Sequence, residues 1–377
     1  MRLRSRGLPG AIRVYRRRVK SYLLLLPALV LAHVACQPDD LASEDASIIG
    51  GVDAKSAKLD AIGTVGTKDY EGKYDFFCTA TLIAPKVVLT AKHCATGGHG
   101  EAPRLNYEKI YFAVGADTGA PKQVVEATDV LLSPVDDGGF VELGSDVAVY
   151  ILAEPVKDVT PMPWAKAHLV ADDVDKKFSA VGFGVQDRDR TSGTRKAGTL
   201  TLQAIEGQPM HRLFPMKEAF YAHMAKTESE NWIAMNTTRM DKFYDLTLLA
   251  GYEAYLGLGD GDAQPCSGDS GGPLVANIDG RLTVVAVVSG SFKGGTYPCS
   301  TVGEAYATLG EKLQPVLESA TGPCEGVPVE GRCVEAKTAV RCVGSNEGPQ
   351  KLTKTDCSAL GQACGIVDGK ATCTDAP

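Results

Sequence analysis

Seven short apolar runs punctuate the chain: FFCTATLIA (76–84), KVVLTA (86–91), KIYFAVG (109–115), DVAVYIL (146–152), FSAVGFG (178–184), GTLTLQAI (198–205) and RLTVVAVVSG (281–290). They are rich in Val, Ile, Thr and aromatic residues and are bounded by Gly, Pro or Asp. Such side chains suit a pleated surface, and the bounding residues end it. The pattern predicts an all-β sandwich or barrel. Two stretches have a different period. Residues 208–256 contain KEAFYAHMAK and RMDKFYDLTLLAGYEAYL, with apolar residues at helical spacing. They predict a partly helical insertion between strands, which either shapes a cleft or caps the barrel. LGEKLQPVLESAT (309–321) predicts a closing helix that Pro315 interrupts or begins.

The first 36 residues are different in kind. Eight Arg or Lys and no acid occupy residues 1–20, followed by the apolar SYLLLLPALVLAHVAC. A basic start, a short apolar stretch and small residues at its end make an export signal, which takes no part in the fold. The other reading, a short membrane anchor, needs a longer apolar span. Residues 37–47, QPDDLASEDAS, are acidic and read as a tether or propeptide. Without the signal, 31 basic residues face 46 acidic ones, a net charge of about −15. So acidic a surface excludes nucleic acid as a partner, since phosphate contacts need Lys and Arg. It gives no support for adhesion to anionic lipid either.

Eleven cysteines are an odd number. Export implies an oxidising compartment in which cysteines pair. Cys36 closes the apolar stretch, and HVAC resembles a bacterial lipoprotein cleavage box whose cysteine becomes the lipidated N-terminus, with His33 in place of the usual aliphatic residue. The expected location is then the bacterial cell envelope, with ordinary secretion as the alternative. Ten cysteines remain. Six lie in residues 322–377: Cys324, Cys333, Cys342, Cys357, Cys364 and Cys373. So short a segment buries little core, and disulfides at about 2–4 kcal/mol each replace packing. Their pairing is open. Zinc is disfavoured, because the segment has no His and no Cys-x₂-Cys pair.

The candidate chemistry starts at CSGDSGGPL (266–274). Gly, Asp and Ser form turns, so Ser270 either caps a loop or is a nucleophile beside glycines that admit a substrate backbone. A serine hydroxyl needs a base to take its proton, and a carboxylate to orient that base. Of six histidines, His93 stands apart, at the end of a strand-like run in VVLTAKHC. Asp146 opens the run DVAVYIL at the edge of a core. LTAKHC, SDVAVYIL and GDSGGP together resemble, in order, the three catalytic blocks of the chymotrypsin/trypsin family of serine proteases. The resemblance covers residues 48 to about 321 and implies two six-stranded antiparallel β-barrels with a C-terminal helix.

By this resemblance the chain is a serine endopeptidase acting on protein or peptide substrates, with no cofactor or metal. His93 would be the general base and acid, Asp146 would orient it, and Ser270 would attack the carbonyl carbon. The N–H groups of Gly268 and Ser270 would form the oxyanion hole. Cys78 would bridge Cys94 across the histidine loop, and Cys266 would bridge Cys299 at the serine loop. The resemblance also marks SIIGG (47–51) as an activation site: an activating protease cuts after Ser47, and the freed amine of Ile48 pairs with Asp269. Ser47 departs from the basic residue common there. Gln264, six residues before Ser270, replaces the aspartate of trypsin-like members, which argues against a strong preference for Arg or Lys. Ser289, Gly290 and Ser291 would form the wall of the substrate pocket. Glu304 either reaches that pocket or is a solvated surface residue. The alternative function is an inactive, protease-like surface binding protein, whose mark is a lost catalytic residue; only Lys92, where Ala is frequent, departs nearby.

Overall fold

The computed structural model describes residues 48, 51–97, 102–133, 146–165, 169–187, 190–226, 228–290, 299, 303–310, 313–327, 330–334, 336–344 and 350–375. The signal, the tether, Cys36, Ser47 and Ser291 lie outside the described residues. Among the described residues no helix is long and apolar enough to cross a membrane.

The chain first lays down β1 (Val52–Asp53). A closed antiparallel barrel follows, built from β2 (Ile62–Lys68), β3 (Tyr74–Ala84), β4 (Val87–Thr90), β5 (Tyr111–Val114), β6 (Gln123–Leu132) and β7 (Ala148–Leu152). Its order is β2-β3-β4-β7-β6-β5. The second barrel uses β8 (Lys177–Gly182), β9 (Lys196–Ala204), β10 (Glu253–Leu256), β11 (Pro273–Ile278), β12 (Arg281–Gly290) and β13 (Glu304–Thr308). Its order is β9-β10-β13-β12-β11-β8, and the β8–β9 pairing closes it, with β1 added on the outside of β9. The two barrels have the same topology. Closure removes the edges of both barrels, and of the strands in these two sheets only the two-residue β1 is left as an edge strand among the described residues.

The first barrel is filled by β-branched and aliphatic side chains, among them Ile62, Val65, Leu82, Leu89 and Ile151, all at most 2% exposed. Burying each such side chain contributes about 1.5–3 kcal/mol. The same apolar cluster continues through Val181, Val287 and Leu309, so the core crosses from one barrel to the other. The site described below sits over that join. The closing helix α5 (Gln314–Thr321) carries Pro315 in its first turn, where the missing N–H costs nothing. Its Leu317 is buried in the same cluster.

The insertion holds α2 (Pro209–Leu213), α3 (Lys217–Met224) and α4 (Glu230–Tyr244). Two short helices thus precede the long one, α1 (Lys92–Thr96) being the helix that bears His93. Ser229 caps α4 by accepting from the N–H of Trp232. Met210, Phe220, Met240 and Phe243 pack as one cluster onto Tyr255 and Ala305, so the insertion covers β10 and β13. The helical reading of 208–256 runs too far: its last residues, EAYL, are β10. All four are buried, so they show no alternation that would mark a strand.

The tail forms a sheet of β14 (Arg332–Val334), β15 (Thr338–Val343) and β16 (Lys351–Asp356), and a hairpin of β17 (Gln362–Val367) and β18 (Lys370–Asp375). Its cysteines pair as Cys324–Cys342, Cys333–Cys364 and Cys357–Cys373. Lys86 pairs with Glu325 at 3.5 Å, and Arg332 with Asp129, so the tail is held against the first barrel.

Candidate active site

His93 is positioned by one turn of helix. Strand β4 ends at Thr90, α1 follows with Ala91 as its N-cap, and Gly97 closes it in the left-handed region at φ +77° with its N–H on the carbonyl of His93. A glycine C-cap has no Cβ to strain that conformation. Cys94 is bonded to Cys78 on β3, which ties the turn to the barrel. Asp146 precedes β7 and is 2% exposed. One of its oxygens accepts from the His93 amide at 2.8 Å. The other accepts from His93 Nδ1 at 2.8 Å and from the Ser289 hydroxyl at 2.6 Å. Burial pushes the Asp146 carboxyl up, but the charge and hydrogen bonds of His93 and the Ser289 hydroxyl outweigh it, and the net shift is downward. The carboxylate thus stays ionised and fixes a proton on Nδ1, which leaves Nε2 as the working nitrogen.

Ser270 lies in a loop stitched to both barrels. Its carbonyl accepts from the Thr79 N–H at 2.9 Å, and the Gly271 N–H donates to Val288 at 2.8 Å. Gly271 is at φ +76°, and a Cβ there would lie 2.1 Å from Thr90 Oγ1 and 2.8 Å from the Ala91 nitrogen. The loop therefore rests on the segment leading into His93 and on the strand leading into Ser289. The backbone that bears Ser270 thus lies beside the segments that bear His93 and Ser289. Gly268 is at φ +99°, with a virtual Cβ 2.9 Å from Gly184 Cα, so this position is open only to glycine. Cys266 is bonded to Cys299 at the base of the loop.

Such an arrangement can move a proton from a hydroxyl to Nε2 while Asp146 steadies the imidazolium. Cys78, His93 and Cys94 also bring three potential metal-ligand atoms within 4.8 Å, but both sulfurs are spent in the disulfide and neither is a thiolate. Residues 48–231 match the family model described as Trypsin. The match includes His93 and Asp146 and ends inside α4; Ser270 lies beyond it. The chain is 26% identical over 230 residues to a protein named Trypsin from Saccharopolyspora erythraea, covering 61% of this chain and 82% of that one. A solved structure titled "Structure of GrC" shares 15% identity at a TM-score of 0.48, covering 72% of this chain and 99% of the other.

Of the other expected site residues, Ser289, Glu304, Asp269 and Ile48 are buried. Ser289, expected on the pocket wall, is 5% exposed and spends its hydroxyl on Asp146. Gly290 ends β12 beside it. Glu304 is 3% exposed, which overturns the solvated reading, and its carboxylate accepts from Gln264 Nε2 at 3.2 Å. Asp269 is also buried, and its oxygens accept from the N–H groups of Gly184 at 2.7 Å and Cys266 at 2.8 Å. Burial raises its pKa to about 6 against those two hydrogen bonds. Ile48 is 2% exposed, in the second-barrel cluster with Ala180 and Leu274.

Thr79 is a residue beside the site that the sequence does not betray, because a threonine in a strand reads as a β-former. It is fully buried. Its hydroxyl donates to the Gly268 carbonyl at 2.8 Å and accepts from the Phe183 N–H at 3.1 Å, while its own N–H holds Ser270. Thr79→Val keeps the shape and strands two buried backbone groups, at about 1–3 kcal/mol each. The expected result is a kcat lowered by about 10–100-fold with KM little changed, and recovery in Thr79→Ser. Full activity in Thr79→Val, or no recovery with serine, contradicts a positioning role.

Proposed function

We propose that the protein is a serine endopeptidase that cuts peptide bonds through an acyl-enzyme on Ser270. His93 acts as base and then acid, Asp146 holds its tautomer, and Gly268 and Ser270 N–H groups stabilise the oxyanion at about 3–4 kcal/mol per donor. The observation that carries this reading is the buried Asp146 carboxylate gathering the His93 amide, His93 Nδ1 and the Ser289 hydroxyl. A fluorophosphonate probe tests it: the processed protein is expected to take one label, on the peptide bearing Ser270. A folded, processed protein that takes no label speaks for the binding-protein alternative.

The pocket chemistry favours a basic residue on the acyl side of the cut. Glu304 is a buried carboxylate beside the amide of Gln264. It also lies close to Tyr306, whose pKa burial raises first and the charge of Glu304 second. A buried carboxylate gains most from a cation as partner. In a panel of peptides varying that residue, Lys is expected to outrun Leu in kcat/KM, and Glu304→Gln to shrink the ratio by about tenfold or more. Equal turnover of Lys and Leu by the wild type rejects the assignment.

Export, anchoring through Cys36 and activation by a cut after Ser47 complete the proposal. Mass spectrometry of the precursor is expected to find lipid on Cys36, and the active form to begin at Ile48. An active form that keeps Ser47 rules out the cut. The activation step has a pH signature. In the uncut chain the Asp269 pKa of about 6 exceeds its ordinary 3.8, so the folded state holds its proton more tightly than the unfolded one. That contribution to stability is full below about pH 4 and is lost as pH rises through 6. A cationic Ile48 amine would reverse it by favouring the ionised carboxyl. Melting curves are therefore expected to show the cut form gaining on the uncut form between pH 4 and 6.

A further inference from the structure

A cavity of about 650 Å³ opens beside Gly268, with β3 on one side and the segment after β8 on the other. We infer that it receives the leaving-group side of a peptide substrate and selects an aromatic or other bulky apolar side chain there, an inference that rests on the serine endopeptidase reading.

The position follows from the proton path. Asp146 holds Nδ1, so Nε2 delivers the proton to the departing nitrogen. Nε2 lies 3.7 Å from Cys94 Sγ, and Cys94 is bonded to Cys78, which lines the cavity. The chain that follows the cut bond thus starts at the mouth of the cavity. Gly268 lines it too. Gln264, Glu304, Ser289 and Gly290 do not line it, so the acyl side and this cavity diverge from the same point.

The selectivity follows from the walls. Tyr74, Phe76, Phe77, Phe183 and Pro121 supply five rings. Tyr74 and Phe76 stack at 5.7 Å, and Tyr74 meets Tyr111 edge-on at 5.3 Å. The Arg104 guanidinium lies over Phe77 at 4.7 Å. Rings fixed in advance offer contact area at little entropic cost on binding. Lys73 and Asp75, both exposed, also line the cavity and oppose each other in charge, so charge selects little. A volume of about 650 Å³ has room for a bulky side chain and its neighbour.

Acyl transfer reads this side alone. The wild-type protein is acylated at Ser270 with a small ester, and amino-acid amides compete with water. The acceptor nitrogen bonds to the acyl carbon, the carbon–Oγ bond breaks, and His93 carries the amine proton to Oγ. Phenylalanine amide is expected to capture the acyl group better than glycine amide or glutamate amide by about tenfold or more, the scale of burying one ring. Phe76→Ala and Tyr74→Ala are each expected to bring that ratio towards one, with phosphonate labelling of Ser270 reporting that each variant folds. Equal capture of the three amides by the wild type, or an unchanged ratio in both variants, overturns the inference and leaves the serine reading intact. A protein that never acylates overturns both.

Discussion

Ser270→Ala is expected to lower kcat on a peptide amide by about 10⁶-fold, the loss seen when a serine protease is left with binding and its oxyanion hole alone. The substitution removes one oxygen from a partly buried loop, and the bonds at residue 270 and its neighbour are backbone ones: Thr79 N–H to the Ser270 carbonyl, and Gly271 N–H to the Val288 carbonyl. Neither needs the hydroxyl. The variant should therefore fold, bind peptide with KM or Kd near the wild-type value, and fail only in chemistry. Single-turnover assays with active-site titration measure this. A variant retaining more than about 1% of the wild-type rate would remove Ser270 from the reaction, since no side chain left behind can form the acyl ester.

Asp146→Asn is the second large effect, about 10⁴-fold in kcat at neutral pH, a magnitude borrowed from the same change in the serine protease template. Asp146 is held below the ordinary carboxylate range against its burial, by His93 and Ser289. Its value lies in being an acceptor only. An amide in its place offers an N–H to Nδ1 and favours the tautomer with the proton on Nε2, which then cannot accept from Ser270. The Ser289 hydroxyl, which shares that position with Nδ1, then accepts from the amide nitrogen, and the amide oxygen keeps the His93 N–H, so the melting temperature should change little beside the rate. Kinetics of the variant between pH 6 and 9, with a melting curve as control, are the measurement. A loss below about tenfold would show that Asp146 only opens a strand.

Much of the scaffold is legible in sequence, for physical reasons that also explain the gaps. The seven apolar runs correspond to β3, β4, β5, β7, β8, β9 and β12 because β-branched and aromatic residues cluster there between turn residues. β2 is masked by Gly63 and Gly66, where a Cβ would meet the carbonyls of Ala113 and Asp75. β10 and β13 are short and wholly buried, so neither shows a period. The shared topology of the barrels leaves no repeat in the residues, because packing fixes it rather than any motif. At the site, His93, Asp146 and Ser270 stand in recognisable blocks. Ser289 joining Asp146 across 143 residues does not, nor does Thr79, since a hydroxyl's partners are set by tertiary structure alone. The burial of Glu304 is hidden for the same reason.

A crystal structure of the mature protein carrying a phosphonate on Ser270 tests the convergence of the three side chains most directly. The phosphorus is expected on Ser270 Oγ, its oxygen about 2.7–3.1 Å from the nitrogens of Gly268 and Ser270, and His93 Nε2 within hydrogen-bond reach of the adduct. An adduct on another residue, or an imidazole turned away from it with Asp146 detached, would contradict the assignment of hydrolysis to this site.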